Sequence, residues 1–175
     1  MAMVRLASRA IIGTFDSTGD VSKTIADLGK IGVHPVDVSL VAKSSAIQAT
    51  PDAKRGRGIL GAMGPGANWL VDQKSFDRAE FGPLLGAGPL ADVLANSPST
   101  SPVGALVMQG IPQNDALTFS NLLAQGKILV LIGVVDRTMG ERVRTVLERA
   151  GGGSVAYYSG RPYGTAFHGT GPGLR

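Results

Sequence analysis

The chain reads as an α+β protein, and three observations predict that class. The pattern I-G-x-x-D-x-T occurs at Ile12–Thr18 and again at Ile132–Thr138, an offset of 120 residues. Each copy passes from an apolar strand through an amphipathic helix to a second strand within about forty residues, the span of a βαβ unit. Two right-handed βαβ units pack most simply as one four-stranded antiparallel sheet with helices on one face. The expected fold is therefore ferredoxin-like: a duplicated βαβ with an extra helix before the second unit and a long glycine-, proline- and alanine-rich insert between them.

In the first unit (residues 8–42), Ala10–Phe15 is a buried strand, and Asp16-Ser17-Thr18 leads into a helix on which Val21, Ile25 and Leu28 recur at helical spacing. Ser17 and Asp20 form a capping arrangement, and Gly32 stops the helix. Past His34-Pro35, the segment Val36–Val41 alternates apolar and polar residues as a half-buried strand does. In the second unit, Lys127–Val135 is a strongly apolar strand and Val143, Val146, Leu147 and Ala150 mark one helix face. Thr138 and Glu141 have capping-box spacing, Gly151-Gly152-Gly153 ends the helix, and Ser154–Tyr158 is the last strand. In the repeat, Gly32 aligns with Gly152.

The remaining segments differ in character. Pro112 suits a first helical position, with Ala116, Phe119, Leu122 and Leu123 on one face and Gly126 at the end. This helix is expected to cover the free sheet face or a partner, and with the second unit it spans 112–158. The insert, 43–111, is too long for an ordinary connection. Its Leu84, Leu85, Leu90, Val93 and Leu94 are too apolar for a solvated linker, so part of it should pack back as short helices. Residues 159–175 form a tail, and the whole chain of 175 residues suits one domain.

Composition narrows the chemistry. With no cysteine there is no disulfide framework, thiolate metal site or cysteine nucleophile. The net charge of +4 is spread thinly, with no basic stripe, so nucleic acid is not an expected partner. No segment reaches the roughly 20 mainly apolar residues that cross a bilayer, and the N-terminus lacks a secretory apolar run. The expected location is cytoplasmic.

Candidate motifs weaken on context. Gly56-Arg57-Gly58-Ile59-Leu60-Gly61 has G-x-G-x-x-G spacing, but Pro51–Arg55 before it is no strand and Pro65 interrupts the helix that should follow. Glycine-rich packing explains it better than a dinucleotide. His34 and His168 lack partners at metal spacing, so neither a metal nor a cofactor is expected. Asp16 and Asp136, at the ends of equivalent strands, would suit paired acid–base carboxylates, yet both precede helix starts and read first as caps. No catalytic motif remains, and the chain is not expected to be an enzyme.

The stretches IIGTFDSTGDVSKTIADLGKIGVHPVDVSLVAK, GPLLGAGPLADVL and GIPQNDALTFSNLLAQGKILVLIGV resemble the small bacterial general-stress-protein family, the heat-induced, 17M-like group described as glycine-zipper-type proteins. The resemblance covers roughly residues 10–150, and no motif in it is catalytic. It implies a cytoplasmic, stress-associated protein with no cofactor or catalytic set to carry over.

These readings predict a non-catalytic structural or interaction protein, a subunit or accessory component of a larger assembly bound through insert and tail. A protein partner or a second copy is the expected ligand. Trp69, Phe76 and Phe81 in the insert and Tyr163, Phe167 and His168 in the tail are the candidate contacts, because aromatic side chains outside the helices suit interface anchoring. One alternative is a small-ligand sensor or enzyme that uses the sheet face with the insert as lid. A second is peripheral attachment to a membrane complex through the low-charge insert.

Overall fold

A computed structural model describes residues 9–34, 37–48, 74–78, 81–96 and 100–159. The elements in chain order are β1 (Arg9–Phe15), α1 (Thr18–Lys30), β2 (Val38–Lys43), α2 (Ser44–Gln48), β3 (Lys74–Arg78) and β4 (Gly82–Ala87). They are followed by α3 (Pro89–Asn96), α4 (Pro102–Met108), α5 (Gln113–Ala124), β5 (Ile128–Val134), α6 (Arg137–Arg149) and β6 (Gly153–Ser159).

The strands form one sheet in the order β3-β4-β2-β5-β1-β6, with every neighbouring pair antiparallel. The two βαβ units interleave: β5 lies between β2 and β1, and β1 lies between β5 and β6. The sheet has six strands rather than the four expected. The two additions come from the insert, whose GPLLGA segment pairs with β2 and carries β3 on its far side.

Helices also cover both faces, not one. Strand periodicity sends Ile11 and Phe15 of β1, with Ile128, Val130, Ile132 and Val134 of β5, toward a cluster formed with Val21, Ile25 and Leu28 of α1 and Val143 and Leu147 of α6. The alternate residues Ala10, Ile12, Leu129 and Leu131 enter a second cluster with Leu90 and Leu94 of α3, Ala105 and Leu106 of α4, and Ala116, Phe119 and Leu123 of α5. The expected helix before the second unit thus covers the free sheet face, together with short helices from the insert. A ligand site on that face under a lid is not what the described residues build, since the face is filled by these side chains.

The helix ends explain the lengths of the repeats. Ser17 Oγ accepts the Asp20 N–H at 3.2 Å to cap α1, and Asp136 Oδ1 accepts the Met139 N–H at 2.7 Å to cap α6. Both helices run thirteen residues. Because α6 is capped one position earlier in the repeat, its left-handed C-terminal glycine is Gly151 (φ +88), equivalent to Gly32 (φ +92). Gly152, the expected equivalent of Gly32, instead matches Val33: their N–H groups donate to Leu147 O and Leu28 O, completing the same Schellman closure.

The insert is tied to β2 by close contacts. Gly88 turns the chain from β4 into α3 at φ +86, so near the Val38 carbonyl that a Cβ there would lie 1.9 Å from its oxygen. The buried Ser39 Oγ accepts the Leu90 N–H at 2.9 Å, serving the first turn of α3 from the neighbouring strand. At the other end of α3, Arg78 of β3 donates to the Leu94 carbonyl and, at 3.0 Å, to the Thr100 carbonyl. No helix among the described residues is long and apolar enough to cross a membrane.

Candidate functional site

Among the described residues, Asp16, Asp136 and His34 take structural roles and lie apart. Antiparallel pairing of β1 with β5 sets Phe15 opposite Ile128 and Arg9 opposite Val134. Asp16 and Asp136, which follow the two strands, therefore sit at opposite ends of the sheet, roughly 30 Å apart at the rise of a β-strand. They cannot act as an acid–base pair. Asp136 is a helix cap as expected, but Asp16 is not: Ser17 caps α1, and the exposed Asp16 carboxylate pairs with Lys127. The exposed His34 turns the chain, its carbonyl accepting the Asp37 N–H at 3.0 Å. Among the described residues no group of three or more His, Asp or Glu could hold a metal ion.

The aromatic candidates separate similarly. Phe81 is 7% exposed and belongs to the second core cluster, so in this chain it is a packing residue rather than a surface anchor. Phe76 lies on β3, the strand at one end of the sheet. Trp69, Tyr163, Phe167, His168 and the G-x-G-x-x-G segment at 56–61 lie outside the described residues.

Two tyrosines on β6 use opposite faces of the sheet. Tyr158 packs on the second cluster and its hydroxyl donates to Asp115 Oδ2 at 2.7 Å, joining the last strand to the first turn of α5. Partial burial, then the hydrogen bond to Asp115 and its negative charge, push the Tyr158 hydroxyl well above the ordinary tyrosine range. Tyr157 packs on the first cluster beneath α6. Its ring occupies the space a side chain at Gly140 would take, 2.4 Å from the position of an added Cβ, and its hydroxyl is buried without a hydrogen-bond partner among the described residues.

A surface groove lies along α4 and the start of α5. It encloses about 570 Å³ between Thr100, Ser101, Val103, Gly104, Val107, Met108 and Gln113. Ser101 accepts the Gly104 N–H at 3.1 Å and Pro102 occupies the first turn, which fixes where α4 starts. Ala105 and Leu106 anchor its inner side in the core, while Val103 and Val107 are half-buried and Met108 is 43% exposed. Leu117, 46% exposed, lies one turn beyond Gln113 on the same face of α5. The sequence signal for this surface is plain in retrospect. Pro102–Met108 contains no polar side chain, and a helix apolar on every side needs cover on every side.

A smaller groove of about 320 Å³ runs between the end of α1 and α6, lined by Ile31, Glu141, Arg142, Thr145, Val146 and Arg149. Its charges are of both signs and surface-lying. Compared with known proteins, the chain matches no family model, no curated protein and no solved structure at a significant level.

Proposed function

We propose that this chain is a non-catalytic interaction protein, a subunit or accessory component of a larger assembly, and that the α4–α5 groove receives an apolar segment of a protein partner. One observation carries the reading: α4 is apolar all round, yet among the described residues only one side of it is covered. Met108 and Val107 offer adaptable apolar contacts there, and Ser101, Thr100 and Gln113 supply a polar rim, the composition of a docking site more than of a reactive one. The groove is built from the insert, which suits an insert that distinguishes this chain from a bare duplicated βαβ. In the same reading the interleaved β2-β5-β1-β6 core is ferredoxin-like, β3 and β4 are an extension at one edge, and the resemblance to general stress proteins reflects that core.

Affinity capture from a cell extract tests the reading, with wild type compared against Met108→Asp and against a chain ending at Ser159. Met108 is exposed, so the substitution should leave stability within about 0.5 kcal/mol. A specific partner should be retained by wild type and lost by Met108→Asp. If wild type retains nothing above control, or retains the same set as Met108→Asp, the groove is not a docking site.

A further inference from the structure

We propose that β6 is where a second copy of this chain docks, the two β6 strands pairing antiparallel about a two-fold axis through Tyr157 so that the two sheets become one. This surface is separate from the α4–α5 groove, so either assignment can fail alone.

The two ends of the sheet differ in chemistry. β3 carries Lys74, Asp77 and Arg78, the charges that natural sheets place on edges to prevent pairing. β6, Gly-Ser-Val-Ala-Tyr-Tyr-Ser, has no charge and no proline, and is the last strand of the sheet among the described residues. Val155, Ala156, Tyr157 and Tyr158 are all half-buried, pointing alternately to the two faces. Four consecutive apolar residues, none fully covered, are what a strand shows when one neighbour is missing.

The pairing with β1 also selects the register. It runs regularly from Arg9 opposite Ser159 to Ile12 opposite Ala156, then shifts before Thr14 opposite Gly153, with Ser154 at φ +51 in the irregularity. The regular edge is therefore Ala156–Ser159; residues opposite each other on paired strands share a face, so the axis passes through a residue, and an axis at Tyr157 pairs the whole of that stretch while leaving Gly153 and Ser154 unpaired. A two-fold axis there sets Tyr157 opposite Tyr157 of the other copy, flanked on the same face by Val155 opposite Ser159, and sets Ala156 opposite Tyr158 on the other face, so one face has an aromatic pair at the axis and the other has a small side chain facing a large one.

The helices above the sheet permit this approach. α6 packs on β1 and β6 alike. If it lies midway between them, strands about 4.8 Å apart place the two α6 helices roughly 10 Å from each other across the axis, within the usual helix-packing distance. Gly140 brings α6 down onto Tyr157, and the exposed surface of α6 carries both signs of charge, with Glu141 and Glu148 among Arg137, Arg142, Arg144 and Arg149. Two like copies of such a flank do not repel as a single-sign surface would.

The absence of cysteine makes the test direct. Full-length Val155→Cys and Ser159→Cys chains, mixed and oxidised, should give a covalent dimer, because directly opposed residues on paired strands have Cα separations of about 4.5–5.5 Å, within disulfide reach. Each variant alone should give none. Wild type at about 0.1 mM, where even a dimer with a Kd of ~10 µM is mostly assembled, should show twice the chain mass by light scattering. Ser159→Lys and Ala156→Lys should return it to the single-chain mass with unchanged far-UV circular dichroism, and Asp77→Lys on β3 should leave the dimer intact. A single-chain mass for wild type overturns the proposal. So does a dimer that survives both lysine variants, forms no mixed disulfide, or dissociates with Met108→Asp instead, which would move the second copy to the α4–α5 groove.

Discussion

Replacing Gly88 by alanine should be among the most damaging single-methyl changes in the chain. The new Cβ would lie 1.9 Å from Val38 O, 2.8 Å from Ser39 Cα and 2.9 Å from the Val38 carbonyl carbon, all backbone atoms of or beside β2. Restoring an ordinary contact of 3.4 Å means parting the turn from β2 by about 1.5 Å, and no side-chain rotation can supply it. That displacement strains the hydrogen bond from Leu90 N–H to the buried Ser39 Oγ, and a lost buried partner costs about 1–3 kcal/mol. The left-handed φ of +86 adds roughly 1–2 kcal/mol for any residue with a Cβ. The expected loss is about 4 kcal/mol, or a fall in Tm of roughly 10 °C for a domain of this size. Gly126→Ala supplies the control: its φ is +97 but nothing lies within 4 Å of the added Cβ, so it should lose only the backbone part, about 1–2 kcal/mol. Urea unfolding followed by far-UV circular dichroism measures both. If the two variants lose the same stability, the insert is not seated on β2 as described, and the six-stranded sheet is wrong at that joint.

Other substitutions probe single contacts. Ser39→Ala should cost about 1–2 kcal/mol by leaving the Leu90 N–H without its acceptor, measured by the same unfolding experiment. Asp136→Ala should cost about 1 kcal/mol as a lost helix cap, whereas Asp16→Ala should cost at most ~0.5 kcal/mol, because its pair with Lys127 is exposed; equal losses would contradict the assignment of the caps. Tyr158 is held in its neutral form, so its contribution is fully present below the unfolded tyrosine value near pH 10 and declines as pH rises above it. Unfolding measured from pH 9 to about pH 11 should therefore show wild type losing stability faster than Tyr158→Phe; parallel curves would mean that the Asp115 contact is not made.

The duplicated core was legible in the sequence because its signals are local. Ile128–Val134 is an unbroken apolar run, α1 and α6 carry both a periodic apolar face and a capping residue, and the I-G-x-x-D-x-T match relates the two first strands. The insert was legible only in its helices. β4 reads GPLLGA, with proline and two glycines where β-branched residues would mark a strand, and it is held by pairing to β2 some forty residues away. Its glycines are functional in packing: Gly86 lies so near Leu40 O and Ala91 that a Cβ would sit 2.8 Å from each. The one-residue difference between repeats was hidden for a related reason. Three consecutive glycines follow the helix of the second unit, and only the hydrogen bonds to Glu148 and Leu147 decide which one takes the left-handed position. Of the proposed contact residues, Phe81 joins the same core as the nearby Leu84, Leu90 and Leu94, and an aromatic beside such a run does not by itself tell a packing residue from a surface anchor.

The duplication also accounts for where binding surfaces can be. Two interleaved βαβ units put α1 and α6 on one face and leave the other face apolar, since Ala10, Ile12, Leu129 and Leu131 point there whatever follows. The insert resolves this by laying α3 and α4 on that face beside α5, and it extends the sheet beyond β2 with two strands, ending on charged β3. The β2 end of the duplicated core is thereby covered and its new edge protected. Among the described residues the β6 end receives neither treatment, and α4 gains cover only on its inner side. Among those residues the half-covered apolar surface thus collects at β6 and α4, which is why the two proposed contacts are placed there.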